Sequence, residues 1–438
     1  MAPKPLLVLL CAGLLSLGAA PAPSPSPGLP VGAEPLPAAL ERRVDELVRQ
    51  TESIRGLRLA RPVLRGVLEE EAVRRTLAEK IGQELPPEDL RSFELALEAF
   101  GLIPGNLDLA TYLPKLLSEE VAGFYDPEGK YLVLVRRAGQ GADETDDSVL
   151  VHELAHAIQD QHFRLDVYTD FDPLSDEGTA RSAVVEGDAM WVMLRSIAGS
   201  DAAFDRLAGA LSKDPEVLVS QAAIGPGALA GAPPFLRESL LFSYLQGLTF
   251  CLRVKELGGR ELLDRAFTTD PPRSSEQILH PEKWAVKELR DDPVPVPVPD
   301  VGDALPGWTR AAEGQLGEMG IAVLLRGSAG ERSTAEGAAA GWGGDRFAVY
   351  TRGEAPGRRL LIWSTEWDSE AEAAEFRSVA AARLGAGWEV RSPAASPSRR
   401  VLVIRGDLDE AERGRVRSAL DAPVAGATPP PAAPSQGR

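Results

Sequence analysis

The chain has 438 residues, more than one hydrophobic core usually organises, so its length favours two or three domains. Hydrophobic residues make up 44% of it and charged residues 26%, which are globular averages that exclude a disordered chain and a polytopic membrane protein. The net charge of -18 would repel phosphate backbones, so no nucleic-acid partner is expected.

The first 22 residues have the features of a secretory signal peptide. Lys4 precedes an apolar run from Leu6 to Leu17, and small residues follow up to Ala22. The run is short for a membrane span, and a retained N-terminal anchor is the alternative. Residues 23–36 are rich in Pro and Ser, which is typical of a spacer. We therefore expect an exported protein, periplasmic or extracellular, with no stable membrane insertion once the signal is removed.

Removal of the signal peptide would leave Cys251 as the only cysteine, because Cys11 lies within the apolar run. An intramolecular disulfide is then impossible, and a cysteine-ligated metal site is not expected. The apolar neighbours of Cys251 indicate a core residue.

Residues 37–292 are predicted to form a mainly helical domain with a small sheet. Apolar residues at helical spacing predict helices over residues 37–57, 64–100, 182–194, 235–257 and 261–267. Two β-type runs, residues 121–125 and 131–135, flank the turn sequence Asp126-Pro127-Glu128-Gly129, which predicts a hairpin. The hairpin leads into a further helix that contains His152.

Pro and Val alternate from Pro293 to Pro299, so residues 293–300 are predicted to be an extended linker between two separate cores. Further helices are predicted at residues 308–325, 369–383 and 408–420, and strands at 346–350, 359–365, near 388 and at 401–404. This order predicts a smaller α+β domain over residues 301–422 with an antiparallel sheet. Residues 423–438, rich in Pro and Ala, are predicted to be a disordered tail. The predicted class of the whole chain is α+β.

Two of the four histidines in the chain lie four residues apart, in the sequence His152-Glu153-Leu154-Ala155-His156. Residues i and i+4 of a helix share one face, so both imidazoles can reach the same ion, and neutral imidazole is a preferred zinc ligand. Glu153 is rotated by about 100° from His152 and can act as general base on a water at the metal. The apolar surroundings predict a buried helix, in which a shared metal would satisfy these ionisable groups. The alternative is a buried helix with hydrogen-bonded structural histidines.

A catalytic zinc ion usually has three protein ligands and one position open to water. Glu186 is the preferred third ligand, because it interrupts an apolar helical pattern and so places a carboxylate in a buried helix. Gly187 beside it would allow close backbone approach to the histidine helix. Glu177, in an exposed turn, and Asp188 are the alternatives, although Asp188 is better suited to accept a hydrogen bond from a ligand histidine. His162, at the end of the histidine helix, faces another direction and is a weak candidate.

This motif, followed by a glutamate on a second helix, resembles the gluzincin branch of zinc metallopeptidases, which includes thermolysin-like enzymes. The resemblance implies a zincin-like catalytic domain in which the two histidines and Glu186 bind one zinc ion per chain, with Glu153 as general base. It also implies that the strand before the motif is a sheet edge on which an extended peptide pairs, with Tyr131 and Val133 binding the substrate.

Four segments are also similar to a group of uncharacterised bacterial secreted zinc-peptidase-like proteins. They are residues 123–127, 152–163, 185–189 and 275–283. This second resemblance covers about residues 50–380 and brings no known substrate.

His280 is predicted to donate a hydrogen bond to the oxyanion of the tetrahedral intermediate, the alternative being a surface loop. Tyr244 is a second candidate for this donor, although it is more simply explained as a core aromatic residue. The sequence therefore predicts zinc-dependent hydrolysis of a peptide or protein substrate, with endopeptidase favoured over exopeptidase activity. The alternative is a non-catalytic, zinc-stabilised protein for binding or envelope assembly. Glu153 favours the enzyme, because a structural zinc site needs no general base.

Overall fold

The computed structural model describes residues 28–137, 146–168, 172–211, 228–298, 300–327, 332–353, 357–393 and 399–421. The predicted signal peptide, residues 23–27 of the predicted spacer and the predicted tail lie outside these residues. In the described part of the chain, no helix is long and apolar enough to cross a membrane. Two small sheets among many helices confirm the predicted α+β class.

The N-terminal part is mainly helical. Its strands are β1 (Glu34–Pro35), β2 (Leu64–Glu69), β3 (Gly123–Asp126) and β4 (Tyr131–Arg136). Its helices are α1 (Ala38–Arg55), α2 (Glu70–Glu84), α3 (Pro87–Phe100), α4 (Leu109–Glu120), α5 (Asp147–Phe163), α6 (Leu165–Tyr168), α7 (Asp176–Ala198), α8 (Asp201–Leu211), α9 (Pro234–Phe267), α10 (Ser275–Leu279) and α11 (Pro281–Ala285). The C-terminal part contains β5 (Thr309–Gly314), α12 (Gly317–Arg326), α13 (Arg332–Ala339), β6 (Trp342–Arg352), β7 (Arg358–Trp367), α14 (Glu370–Arg383), β8 (Trp388–Arg391), β9 (Arg400–Gly406) and α15 (Glu410–Asp421).

Two segments that were expected to be helical begin with strands. The segment 64–69 is β2, which pairs in parallel with β4, and the segment 309–314 is β5, which pairs antiparallel with β6. The apolar spacing of both segments is compatible with a helix, but pairing with a strand distant in sequence determines the structure. The helical prediction is therefore wrong for these residues and holds for α2 and α12, which follow them.

The first sheet has the strand order β1-β2-β4-β3. The predicted hairpin is confirmed. Asp126 stabilises its turn by accepting hydrogen bonds from the backbone N–H groups of Glu128 and Gly129. However, β4 is an inner strand with β2 on one side and β3 on the other. The prediction that Tyr131 and Val133 form a substrate-binding edge is therefore wrong, because both edges of their strand are already hydrogen-bonded. The edge strand that contacts α5 is β3.

Helices α5, α7 and α9 pack together at the centre of the N-terminal part. Two glycines bring α7 and α9 into close contact. A Cβ atom on Gly187 would lie 2.1 Å from the Gly247 carbonyl, and one on Gly247 would lie 2.0 Å from the Ala183 carbonyl oxygen. The predicted close approach at Gly187 is thus present, but its partner is α9 and not the histidine helix. The two helices predicted over 235–257 and 261–267 form one helix, α9, with a kink at Gly258 and Gly259 between them.

The second sheet has the order β5-β6-β7-β9-β8, and all its pairs are antiparallel, as predicted. One hydrophobic cluster joins this sheet to α3 of the N-terminal part. The ring of Phe100 lies 5.0 Å from that of Phe347 and 5.3 Å from that of Trp363. The prediction that residues 293–300 separate two independent cores is therefore wrong. Alternating Pro and Val specify an extended connection, but not which side chains pack across it.

Candidate metal centre

Helix α5 carries three of the predicted site residues in a buried environment. Asp146 caps the helix by accepting the Ser148 N–H. His152, Glu153 and His156 follow, each with 1% or less of its surface exposed. Ionisable groups buried to this extent cost several kcal/mol each unless they share a partner. Their arrangement therefore requires a compensating group.

The donor atoms of His152, His156 and Glu186 converge on one point. The Nε2 atoms of His152 and His156 are 3.0 Å apart. Glu186 Oε2 lies 3.2 Å from His152 Nε2 and 3.5 Å from His156 Nε2. Bonds of about 2.0–2.1 Å in a tetrahedral zinc site place neighbouring donors about 3.3 Å apart. The three atoms therefore lie at positions suited to three corners of a zinc tetrahedron.

Three buried polar atoms in this region have no hydrogen-bond partner among the described residues: His152 Nδ1, Glu153 Oε1 and Glu186 Oε1. A buried carboxylate oxygen without a partner is a position at which an ion or a water molecule can bind. In addition, at most one proton can lie between the two facing Nε2 atoms, so a lone pair of at least one imidazole points at the other ring. Two imidazoles and a carboxylate are a donor set that suits zinc. The residues present thus fit a divalent cation.

Burial and mutual proximity determine the electrostatics of the cluster. Burial lowers the pKa of His152, since desolvation disfavours the imidazolium. Burial opposes the ionisation of Glu186, but the charge of His156 and hydrogen bonds from both histidines outweigh it and lower the Glu186 pKa to about 2. For His156, burial is likewise outweighed by Glu186, and the pKa rises to about 9. A bound cation would displace the proton of His156, so metal binding is coupled to pH.

Glu153 lies beside the cluster, where α5 meets β3. Its Oε2 accepts the backbone N–H of Tyr125 at 2.8 Å, whereas its Oε1 is the unpartnered atom named above. Burial raises the pKa of Glu153 to about 8, which makes it a stronger base than an ordinary glutamate. The Tyr125 hydroxyl also donates to Asp160 at 2.7 Å, so the edge strand is fixed to the helix at two points.

A chain of hydrogen bonds supports His156 from the side away from Glu186. His156 Nδ1 lies 2.9 Å from Gln159 Oε1, and Gln159 Nε2 donates to Asp188 Oδ2 at 3.0 Å. The same Asp188 oxygen accepts from Arg55 Nε at 2.7 Å. A proton held on Nδ1 by Gln159 leaves the Nε2 lone pair for a metal. Asp188 was expected to accept directly from a ligand histidine. It acts through Gln159 instead, because the amide lies between them.

The alternative ligands lie outside the cluster. Glu177 pairs with Arg181 on the first turns of α7, and His162 pairs with the backbone carbonyl of Arg58. The structure therefore brings Glu186, and neither of these residues, to the histidine pair.

The two candidates for oxyanion stabilisation differ in position. His280, half-buried where α10 meets α11, lies 3.0 Å from Glu318 Oε1, and this hydrogen bond raises the pKa of His280. Tyr244 of α9 instead stacks on the imidazole of His152, with ring centroids 6.0 Å apart and an angle of 23° between the planes. The structure thus brings Tyr244 to the ligands, whereas the role of His280 stays a prediction.

A second group of carboxylates has the spacing of metal ligands: Glu276, Asp291 and Asp368. The ammonium group of Lys283 donates to all three, at 2.7, 3.0 and 2.8 Å. The lysine itself supplies the positive charge, so this cluster joins the N-terminal and C-terminal parts without requiring an ion.

A cavity of about 160 Å³ lies beside Tyr244, the residue that stacks on His152, and no described residue of the candidate metal centre lines it. Tyr244 and Ser182 form part of its wall, and Ser182 lies one turn before Glu186 on α7. Most of the remaining wall is apolar. We refer to this space as the apolar cavity.

Three residues of the site were missed by sequence reasoning. Gln159 could have been found, because it follows His156 by three residues and so lies on the same side of α5. Tyr125 belongs to a segment that carries a family resemblance, but nothing in that segment indicates a bond to Glu153. No local sequence pattern indicated the contact of Arg55 with Asp188, because the two residues are 133 positions apart in the chain.

Residues 305–424 match a protein family described as a domain of unknown function, DUF8575. The matched span begins before β5 and contains the second sheet with its helices, while the candidate metal centre lies outside it. No curated protein and no solved structure matches the chain.

Proposed function

We propose that this chain is a zinc-dependent peptide hydrolase of the gluzincin type, with His152, His156 and Glu186 as zinc ligands and Glu153 as general base. The observation that carries the proposal is the convergence of the three donor atoms, 3.0 to 3.5 Å apart, beside the buried carboxylate of Glu153, whose Oε1 has no hydrogen-bond partner among the described residues. A zinc ion held there would polarise a carbonyl group and acidify a water molecule.

The side chains of this protein supply the remaining steps. Glu153 Oε1 accepts a proton from the attacking water and transfers it to the leaving amine. The hydrogen bond from the backbone N–H of Tyr125 to Glu153 Oε2 orients the Glu153 carboxylate, so that Oε1 carries the proton. Tyr244, next to His152, is the nearer candidate to donate a hydrogen bond to the oxyanion. His280 would have to leave Glu318 to do so.

The substrate is proposed to be a peptide or protein cleaved within its chain. We further propose that the protein acts after export, in the periplasm or outside the cell, as its first 22 residues predict.

The test combines metal analysis with digestion of a diverse peptide library by the purified mature protein. We expect about one zinc per chain, loss of cleavage on chelation, and recovery on adding zinc. The Glu153→Gln protein should keep its zinc and lose turnover by several orders of magnitude, because this carboxylate acts on the water and not on the ion. Wild-type protein without zinc, or a Glu153→Gln variant with unchanged turnover, would reject the mechanism.

A second candidate function is a non-catalytic, zinc-stabilised protein that binds partners or assists envelope assembly. The observation in its favour is that each ligand is 1% exposed or less, as in structural zinc sites. The two candidates differ in one measurement. If the site is structural, zinc removal should unfold the protein, and no peptide of the library should be cleaved.

A further inference from the structure

The apolar cavity lies between the two parts of the chain. Its N-terminal wall includes Leu113 and Leu117 of α4 and Leu240 of α9. Its C-terminal wall consists of Gln315, Leu316 and Met319, all within the span that matches the domain of unknown function. The C-terminal part therefore completes a space whose wall on the side of the candidate metal centre includes Tyr244.

The size and polarity of this cavity define what it can hold. An apolar cavity of about 150 Å³ accommodates one benzene ring, and the volume here is about 160 Å³. Three carboxyl groups line it, those of Glu84, Asp172 and Asp176, and Asp172 is exposed. Burial raises the pKa values of Glu84 and Asp176 to about 9 and about 7, so the cavity favours the uncharged form of these two. Asp176 is also engaged by the backbone N–H of Ser275.

The cavity is placed between the metal ligands and the surface. Tyr244 forms its wall on one side and stacks on His152 on the other. At the opposite end, a second cavity of about 520 Å³ shares Leu85 and Pro173 with it and reaches the exposed residues Asp89 and Arg310. Tyr244 is therefore the side chain at which the cavity and the candidate metal centre meet, and a substrate side chain would have to enter beside it.

We propose that the apolar cavity is the specificity pocket for one large apolar side chain, aromatic or branched, of the peptide substrate, and that Leu316 and Met319 make the C-terminal part its outer wall. This inference rests on the proposed function. It assigns the matched domain a role in substrate selection.

The test fills the cavity from each wall separately, with Met319→Trp from α12 and Ser239→Phe from α9. In the zinc-loaded full chain, both variants should lower kcat/KM about 10- to 100-fold for peptides cleaved next to Phe or Leu. Peptides with Gly or Ala at that position should be cleaved as fast as by the wild type. Ala374→Trp, which adds the same ring on the exposed face of α14, is the control and should behave as wild type. Unchanged preference in both filled variants would overturn the proposal.

A binding measurement separates this proposal from the proposed function. N-acetylphenylalanine amide is titrated into zinc-loaded Glu153→Gln protein and observed by ligand-detected NMR, with N-acetylglycine amide as reference. Binding of the phenylalanine compound alone, weakened at least 10-fold by either filling substitution, supports the pocket even if the wild type cleaves no peptide. Lack of binding, or binding that both filled variants retain, rejects the pocket even if the wild type is an active peptidase.

Discussion

Glu186 lies within 3.5 Å of the donor atoms of both histidines, whereas Glu177 is paired with Arg181 at the surface. Glu186→Ala should therefore lower zinc affinity at least 10-fold, and Glu177→Ala should leave it unchanged. Competition with a zinc-binding dye measures both. The opposite order would move the third ligand to Glu177.

Glu84 links stability to pH, because burial raises its pKa to about 9. An unfolded glutamate ionises near about 4.3, so above that pH the folded chain retains a proton that the unfolded chain has lost. The stabilisation is complete below about pH 4.3 and is lost as the pH rises towards 9. Relative to Glu84→Gln, the wild type should lose about 4 kcal/mol of unfolding free energy between about pH 5 and pH 8, since one proton is released on unfolding across nearly all of that range.

Urea unfolding of the metal-free proteins at the two pH values provides this comparison. Glu79→Gln, at an exposed position of the same helix, is the control for removing a carboxylate from α2. A Glu84→Gln difference that does not change with pH would mean that the carboxyl is ionised in the folded protein.

The convergence of His152, His156 and Glu186 could be predicted at the residue scale because its signals are local. His152 and His156 are one helical turn apart, and Glu186 interrupts an apolar helix. The hydrogen bonds that hold these residues in place could not be predicted in the same way. Arg55 reaches Asp188 only because α1 packs against α5 and α7, a contact that no sequence window contains.

The contact of helices α7 and α9 depends on two residues without side chains. Gly247→Ala would place a Cβ 2.0 Å from the Ala183 carbonyl oxygen, so the helices must separate. We expect a loss of about 3 kcal/mol of unfolding free energy, together with weaker zinc binding, because Glu186 is displaced with α7. Gly209→Ala in α8, where an added Cβ meets nothing within 4 Å, should instead stabilise by up to about 1 kcal/mol. Thermal unfolding and zinc titration of both variants test this, and equal effects would refute it.

Element types followed from the sequence where the periodic patterns were long, as in α7, α9 and α14. The predicted element types were wrong where strands were short and paired with strands distant in sequence. The helix predicted over 64–100 begins with β2, and β2 also takes the edge of β4 that was expected to bind substrate. Strand order is set by long-range pairing, so an inner strand and an edge strand can have the same local pattern.

At the scale of the whole molecule, the N-terminal part should not fold alone. A chain ending at Asp300 would expose the apolar face of α3, which packs on Phe347 and Trp363. We expect aggregation or non-cooperative unfolding of this chain, as followed by gel filtration and near-UV circular dichroism. A chain ending at Asp421, which keeps all described helices and strands, is the control. Soluble, cooperatively unfolding protein from the shorter chain would contradict the shared core.

The packing of α3 also fixes when this protein can finish folding. Phe100 emerges from the ribosome roughly 260 residues before Trp363, its partner in the second sheet. At about 5–20 residues per second, the delay is roughly 13–50 seconds. Throughout that interval the apolar face of α3 is available to chaperones or to another nascent chain. The last part of the chain to be synthesised therefore determines how long the first part stays open to aggregation.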